Sequence, residues 1–202
     1  MERTVGSREL ASGTARAATM VQHFAAPIDD VWDACTNRER IARWFLPITG
    51  DLQAGGTYQL EGNAGGTVEH CDPPRSFGAT WEFGGDVSRI EVRLREAGGG
   101  TRFELEHVAH VPDEAWAEYG PGAVGLGWDM GLLGLAAHLG EQESGVGPDE
   151  SAWAASPEGV LFMTLGSEAW FEANVAAGTP EPEARAAADR TLTAYTTPPP
   201  ES

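Results

Sequence analysis

The sequence predicts an α+β fold in which an antiparallel sheet with one apolar face is covered by a long helix. Apolar and charged residues alternate in strand segments such as Val87–Arg95, where Ile90, Val92 and Leu94 share a face. This alternation is typical of a strand that is buried on one side only. Over residues 124–138 the apolar residues recur at helical spacing instead, which indicates the helix that covers the sheet.

Composition and charge predict an acidic globular protein of one domain with an additional segment. The chain has 202 residues, of which 41% are hydrophobic, so it can form a packed core. Its 31 acidic residues outnumber 13 basic ones, all arginine, and the net charge of −18 disfavours nucleic acid and anionic membranes as partners. Neither a membrane-spanning run nor a secretory signal is present, so we expect a cytoplasmic protein.

The motif content predicts neither a metal site nor a cofactor site. Cys35 and Cys71 are the only cysteines, and neither has a second cysteine or a histidine at ligand spacing. We therefore expect both to be small core residues in a reducing environment. Metalloprotease, phosphate-loop, calcium-loop and nucleophile-elbow motifs are absent from the sequence.

The first part of the chain predicts a lead-in, a strand and two short helices. Residues 1–12 are polar and aperiodic, so we expect them to be disordered. An extended segment over Thr14–Phe24 precedes Pro27, which opens a helix with acidic residues in its first turn. A second helix is expected over Arg38–Phe45, ended by Pro47.

Five strand segments separated by turn residues follow these helices and predict consecutive hairpins. The pattern places Phe103, Leu105 and His107 on the inward face of the last segment. The predicted strands are Thr57–Gly62, Gly66–Cys71, Ser76–Phe83, Val87–Arg95 and Thr101–Val111.

The covering helix contains three glycines, Gly127, Gly131 and Gly134, that need a physical reason. Each glycine costs a helix interior roughly 0.5–1 kcal/mol relative to alanine. Two reasons are open: close packing of the helix against a strand, or space left for a ligand.

The last third of the chain predicts two further helices that extend the domain over residues 146–197. Ser156 and Pro157 form a cap and first-turn pair for one helix to about Ala177, and Thr179-Pro180 opens another to about Tyr195. Because the first of these helices is rich in large apolar residues, we expect it to pack on the main domain, residues 13–145, or on a partner chain. Residues 198–202 are expected to be a frayed end.

The opening of the predicted domain resembles a known family. Residues 24–37 read Phe-Ala-Ala-Pro-Ile-Asp-Asp-Val-Trp-Asp-Ala-Cys-Thr-Asn, and residues 40–45 read Arg-Ile-Ala-Arg-Trp-Phe. This spacing, with Gly127-Trp128 in the later helix, is similar to the activator of heat-shock ATPase homologue-like family of the SRPBCC superfamily. That superfamily includes START lipid-transfer domains, polyketide cyclases and the birch-pollen allergen. The resemblance covers about residues 14–140 and implies a helix-grip fold, in which the sheet wraps the long helix around an elongated cavity.

The resemblance also implies a small hydrophobic or aromatic ligand held between the sheet and the long helix. Apolar and aromatic side chains line such cavities, and a few polar groups orient the ligand. His107 faces inward, where it either orients the ligand or is a core histidine with satisfied hydrogen bonds. The residues predicted to line the cavity are Trp32, Trp44, Phe45, Tyr58, Trp81, Phe83, Phe103, His107, Trp128 and Leu132.

Two other functional classes remain as alternatives to ligand binding. Relatives with cyclase or aromatase activity imply an enzyme, but no convincing pair of titratable groups shares an inward face here. The heat-shock ATPase activators imply a protein-interaction module, although the additional domain of the eukaryotic activators is missing from this chain. We therefore expect a small-molecule-binding protein rather than an enzyme, with a possible homodimer formed through the C-terminal extension.

Overall fold

A computed structural model describes residues 1–140, Trp153 and residues 156–197 of the chain. Eight strands in the described residues form one antiparallel sheet. Its spatial order is β1-β2-β8-β7-β6-β5-β4-β3. The strands are β1 (Glu2–Leu10), β2 (Gly13–Phe24), β3 (Ile48–Gly50), β4 (Thr57–Leu60), β5 (Gly65–Asp72), β6 (Ser76–Phe83), β7 (Asp86–Ala97) and β8 (Gly100–Ala109).

The helices of the described residues lie in three places: two between β2 and β3, two directly after β8, and two within residues 156–197. The long helix α4 contributes Leu126, Leu132 and Leu135 to the main hydrophobic core, where the inward residues of the sheet meet it. The helices are α1 (Ile28–Thr36), α2 (Arg38–Trp44), α3 (Asp113–Tyr119), α4 (Gly122–His138), α5 (Pro157–Ala176) and α6 (Glu181–Thr196).

The element boundaries follow the local sequence signals closely. The side chain of Asn37 accepts a hydrogen bond from the backbone N–H of Glu39 at the start of α2. Ser156 caps α5 in the same way, accepting from the backbone N–H of Gly159 at 3.1 Å. In β7, Ile90 and Val92 are buried while Arg93 between the apolar positions is exposed. The predicted alternation therefore sets the inward and outward faces of this strand.

The sheet curves around the core, as residues from distant strands show. Ile48 of β3, Tyr58 of β4 and Phe103 of β8 all line one small cavity. In a flat sheet, β3 and β8 would lie roughly 24 Å apart, five strand spacings of about 4.8 Å. The predicted α+β architecture, a sheet gripping a long helix, is thus confirmed.

Three elements differ from the sequence prediction. Residues 1–12, expected to be a disordered lead-in, contain strand β1, which pairs with β2 along its full length. An edge strand has one neighbour and much solvent exposure, so its residues are polar and give no apolar alternation. The short strand β3 and the helix α3 also escaped prediction. Strand β3 has three residues with one buried, and α3 has no buried residue, so neither element gives an apolar pattern.

The two helices of the extension pack on the domain of the same chain. Trp170 of α5 is almost fully buried and lies against Gly125 of α4, where a Cβ atom would come within 2.2 Å of the indole ring. Its indole N–H donates to the carboxylate of Asp129 at 3.1 Å, and Arg3 of β1 forms a salt bridge with the same carboxylate. Residues 141–152, 154–155 and the predicted frayed end, 198–202, lie outside the described residues.

Two further findings on the described residues bear on function. No helix in the described part of the chain combines the length and hydrophobicity needed to cross a membrane. Among the same residues, no cluster of three or more histidine, cysteine, aspartate or glutamate side chains could hold a metal ion.

Candidate functional site

An apolar cavity of about 120 Å³ lies between the inner face of the sheet and helices α1, α2 and α4. Strands β3 to β8 supply most of its wall, and α4 contributes Trp128. Apolar side chains dominate the wall, with Val68, Ala79 and Val92 rising from the central strands. Such a cavity matches the general character of small-molecule sites.

A cluster of aromatic rings forms the side of the cavity nearest α4. The ring of Phe45 stacks on that of Trp128, with centroids 6.0 Å apart and an interplanar angle of 14°. Trp81 of β6 contacts Trp128 at 4.9 Å between centroids, and Trp44 contacts Phe45 at 5.5 Å. Contacts of this kind fix ring orientation as well as burying area. The cluster therefore presents a preformed aromatic surface to the cavity.

The glycines of α4 let helix α2 approach and deliver its aromatic residues. A Cβ atom on Gly134 would lie 2.3 Å from the backbone oxygen of Trp44, and one on Gly131 would lie 3.4 Å from the ring of Phe45. Of the two reasons left open by the sequence, close packing is the one observed at these positions. The partner, however, is helix α2 and not a strand.

His107 links two of the cavity-wall tryptophans through hydrogen bonds. Its Nδ1 atom accepts from the indole N–H of Trp128 at 2.8 Å, so Nε2 carries the proton and donates to Ser88 Oγ at 2.8 Å. Ser88 in turn donates to the backbone oxygen of Trp81 at 3.1 Å. Burial lowers the pKa of His107 to about 4, which keeps this histidine neutral at physiological pH.

The polar side chains of the cavity wall are few and uncharged. Tyr58 donates its hydroxyl hydrogen to the backbone oxygen of Thr80 at 2.7 Å, and burial, with a smaller effect of Glu82, raises its pKa to about 12. Burial also raises the pKa of the Cys35 thiol to about 12, and burial raises that of Cys71. The described lining contains no aspartate, glutamate, arginine or histidine side chain. The site is therefore suited to a neutral molecule.

The structure brings six of the ten predicted residues to the cavity wall. They come from α2 and the residue that follows it, and from β4, β6, β8 and α4: Trp44, Phe45, Tyr58, Trp81, Phe103 and Trp128.

The other four predicted residues lie elsewhere. Phe83 was wrongly placed, because it is 57% exposed at the tip of the β6–β7 hairpin. Leu132 is a core residue of α4, and Trp32 packs edge-to-face behind Phe77 at 6.0 Å. His107 is buried and is not part of the cavity lining, so it is a core histidine with satisfied hydrogen bonds, one of the two alternatives that the sequence left open.

Several lining residues escaped the sequence prediction. Phe77 shares strand parity with Ala79 and Trp81, so the alternation of β6 contained the signal. Cys35 and Cys71 were expected to be small core residues. Cys35 packs against the main hydrophobic core, and both cysteines are half-buried and line the cavity. No local pattern could have brought these two residues together, because they belong to α1 and β5.

Comparison with known proteins places the chain in a family. Residues 25–140 match the family model described as activator of Hsp90 ATPase homolog 1-like protein. The chain belongs to this family. Comparison with functionally curated proteins gives no match.

Solved structures support the family assignment and extend it to part of the C-terminal extension. The crystal structure of CalU16 from Micromonospora echinospora is 35% identical, with a TM-score of 0.69, over 86% of this chain and 98% of CalU16. The solution NMR structure of CalU16 gives 36% identity and a TM-score of 0.72, over 88% of this chain and 96% of CalU16. Coverage of 86–88% exceeds the share of the chain that residues 1–140 make up, so these matches include part of the C-terminal extension.

A more distant structure shares the fold alone. It is PFC0360w, an HSP90 activator from Plasmodium falciparum, which is 20% identical with a TM-score of 0.53. The match covers 61% of this chain and 96% of that protein.

Proposed function

We propose that the protein binds a small, neutral aromatic molecule in the cavity between the sheet and helices α2 and α4. The observation that carries this proposal is the preformed aromatic wall around an apolar space. Phe45, Trp81 and Trp128 present ring surface to this space, and no lining side chain is charged. An apolar ring entering the cavity would exchange water for dispersion contacts on most sides.

The volume of the cavity favours a ligand with one aromatic ring. An engineered apolar cavity of roughly 150 Å³ stays dry and binds benzene, and the cavity here is about 120 Å³. Larger ligands would require the wall to move. The ligands we propose are therefore compounds with a single aromatic ring.

The chemistry of the wall favours binding over catalysis. Its titratable groups are the Tyr58 hydroxyl and the Cys35 and Cys71 thiols, and all three have pKa values raised by burial. A general base needs a pKa near the working pH, and an activated nucleophile needs a lowered one. These groups meet neither requirement, and His107 already uses both ring nitrogens in the protein.

Thermal unfolding in the presence of toluene tests the proposal. A ligand at a hundred times its Kd adds about 2.7 kcal/mol of stability, which corresponds to roughly 5–10 °C for a chain of this size. The variant Ala79→Leu places extra side-chain volume in the cavity, and we expect it to remain folded and lose the toluene-dependent shift. The matched control is Phe83→Leu on the same strand, whose exposed ring lies outside the cavity. An equal toluene shift in Ala79→Leu and in the parent protein would contradict the proposed site.

A further inference from the structure

The two hydroxyl groups of the cavity wall have already used their hydrogen atoms. Tyr58 donates to the Thr80 backbone oxygen at 2.7 Å, and Thr36 donates to the Trp32 backbone oxygen at 2.8 Å. A hydroxyl has one hydrogen and two acceptor lone pairs. Each of these groups can therefore offer a ligand only acceptor capacity.

Most of the strong donors around the cavity are also occupied. The indole N–H of Trp44 donates to the Ala34 backbone oxygen at 2.9 Å, and that of Trp128 donates to His107. The indole N–H of Trp81 has no hydrogen-bond acceptor within the described part of the chain, and the Cys35 and Cys71 thiols are weak donors. Acceptors thus prevail among the side-chain groups of the wall.

Tyr58 is the acceptor best placed to meet a ligand. Its hydroxyl lies against the carbonyl of Thr80, and Ala79 and Trp81 on either side of Thr80 both line the cavity. The residue is 8% exposed, so most of its surface is shielded from bulk water. A donor buried in this cavity without an acceptor would cost about 1–3 kcal/mol, which an acceptor at the wall would offset.

We infer that the cavity selects single-ring aromatic molecules that carry a hydrogen-bond donor, such as a phenol, with the donor directed to the Tyr58 oxygen. This inference rests on the proposed function and adds the polarity of the ligand to it. The hydroxyl of phenol and the methyl group of toluene are similar in size, so the pair isolates the donor. Anisole has an ether oxygen that accepts but cannot donate, and it therefore reports any contribution from the free N–H of Trp81.

The test is an NMR titration of the indole N–H signals with phenol, toluene and anisole in three proteins: the parent, Tyr58→Phe and Tyr195→Phe. Tyr195 is the matched control, because its hydroxyl also donates to a backbone oxygen, that of Ala123 at 2.9 Å, but it lies on α6 outside the cavity. We expect Tyr58→Phe to weaken phenol binding about five- to tenfold, which is within the range of one net hydrogen bond. The Kd values of toluene and anisole should change less than twofold in Tyr58→Phe. Tyr195→Phe should leave the Kd values of all three ligands unchanged.

Two results would overturn the inference and leave the proposed function intact. One is an equal loss of binding affinity for all three ligands in Tyr58→Phe, which would mean that the tyrosine only shapes the cavity. The other is toluene binding without phenol binding in the parent protein. If none of the three ligands bound the parent protein, both the inference and the proposed function would fail. Toluene binding to Tyr58→Phe also reports that this variant is folded.

Discussion

His107 connects the wall of the cavity to the sheet without lining the cavity itself. It accepts from Trp128 of α4 and donates to Ser88 of β7, which donates to the backbone of Trp81 in β6. All hydrogen-bonding groups of the imidazole are satisfied in the neutral form. Protonation of Nδ1 would remove the acceptor of Trp128 and place a charge in the core. The neutral state is therefore part of the folded structure.

The lowered pKa of His107 predicts a loss of stability in mild acid. The unfolded chain takes up a proton near the ordinary pKa of 6.5, whereas the folded protein takes it up only near 4. Stability from this residue is complete above pH 6.5 and falls as the pH drops from 6.5 towards 4. Between pH 7 and pH 4.5 the loss should be about 2 kcal/mol.

Urea unfolding of a His107→Gln variant at both pH values isolates this effect. The amide side chain can accept and donate but does not titrate, so the free energy of unfolding should fall about 2 kcal/mol less than in the parent. His23→Gln serves as the control, since His23 is exposed. A parent and a His107→Gln variant with the same pH dependence would mean that this histidine is not held neutral by the fold.

Helix α4 depends on glycine where α2 crosses it. At Gly134 a Cβ atom would lie 2.3 Å from the backbone oxygen of Trp44, and neither backbone can yield easily. At Gly127 in the same helix the nearest atom would be the Tyr195 hydroxyl oxygen at 3.4 Å. The two positions are alike in helix propensity and differ in the space beside them.

This difference predicts opposite effects of the same substitution. Gly134→Ala should lower the free energy of unfolding by about 1–2 kcal/mol, because overpacking outweighs the gain in helix propensity. Gly127→Ala should be neutral or stabilise by up to about 1 kcal/mol. Denaturant unfolding of both variants measures the contrast. Equal effects would show that α2 moves to accommodate the added methyl group.

The sequence predicted elements well where burial leaves a periodic pattern. The alternation of β7, the proline that follows α2 and the Ser156-Pro157 pair that opens α5 located those elements to within two residues. Prediction from the sequence failed for β1, because this strand lies at the sheet edge and carries mostly polar residues. Prediction of the site had a similar limit. Strand parity indicates that Trp81 faces the core, but it does not indicate how much of the strand is buried. Phe83 has the same parity as Trp81 and is exposed.

At the level of the whole chain, one buried ion pair connects the first strand, the long helix and the extension. Asp129 of α4 is fully buried and accepts hydrogen bonds from Arg3 Nε at 3.1–3.2 Å and from the Trp170 indole N–H at 3.1 Å. Burial raises the pKa of Asp129, while Arg3 and Trp170 act in the opposite direction. The extension is thus attached through a buried carboxylate whose partners are Arg3 in the first strand and Trp170 in the extension.

Removing one partner of this pair should be costly, and removing the charge as well should restore part of the loss. Arg3→Met leaves the buried Asp129 carboxylate without its ion-pair partner, and losses of about 3–5 kcal/mol are typical of such changes. Adding Asp129→Asn removes the charge but keeps an acceptor for Trp170, so the double variant should unfold at higher denaturant than Arg3→Met alone. Arg16→Met is the matched control, because the Arg16–Asp113 pair on the surface should contribute at most about 1 kcal/mol. If Arg3→Met lost no more stability than Arg16→Met, the pair would not anchor the extension. In that case the contact of Trp170 with Gly125 would carry the attachment instead.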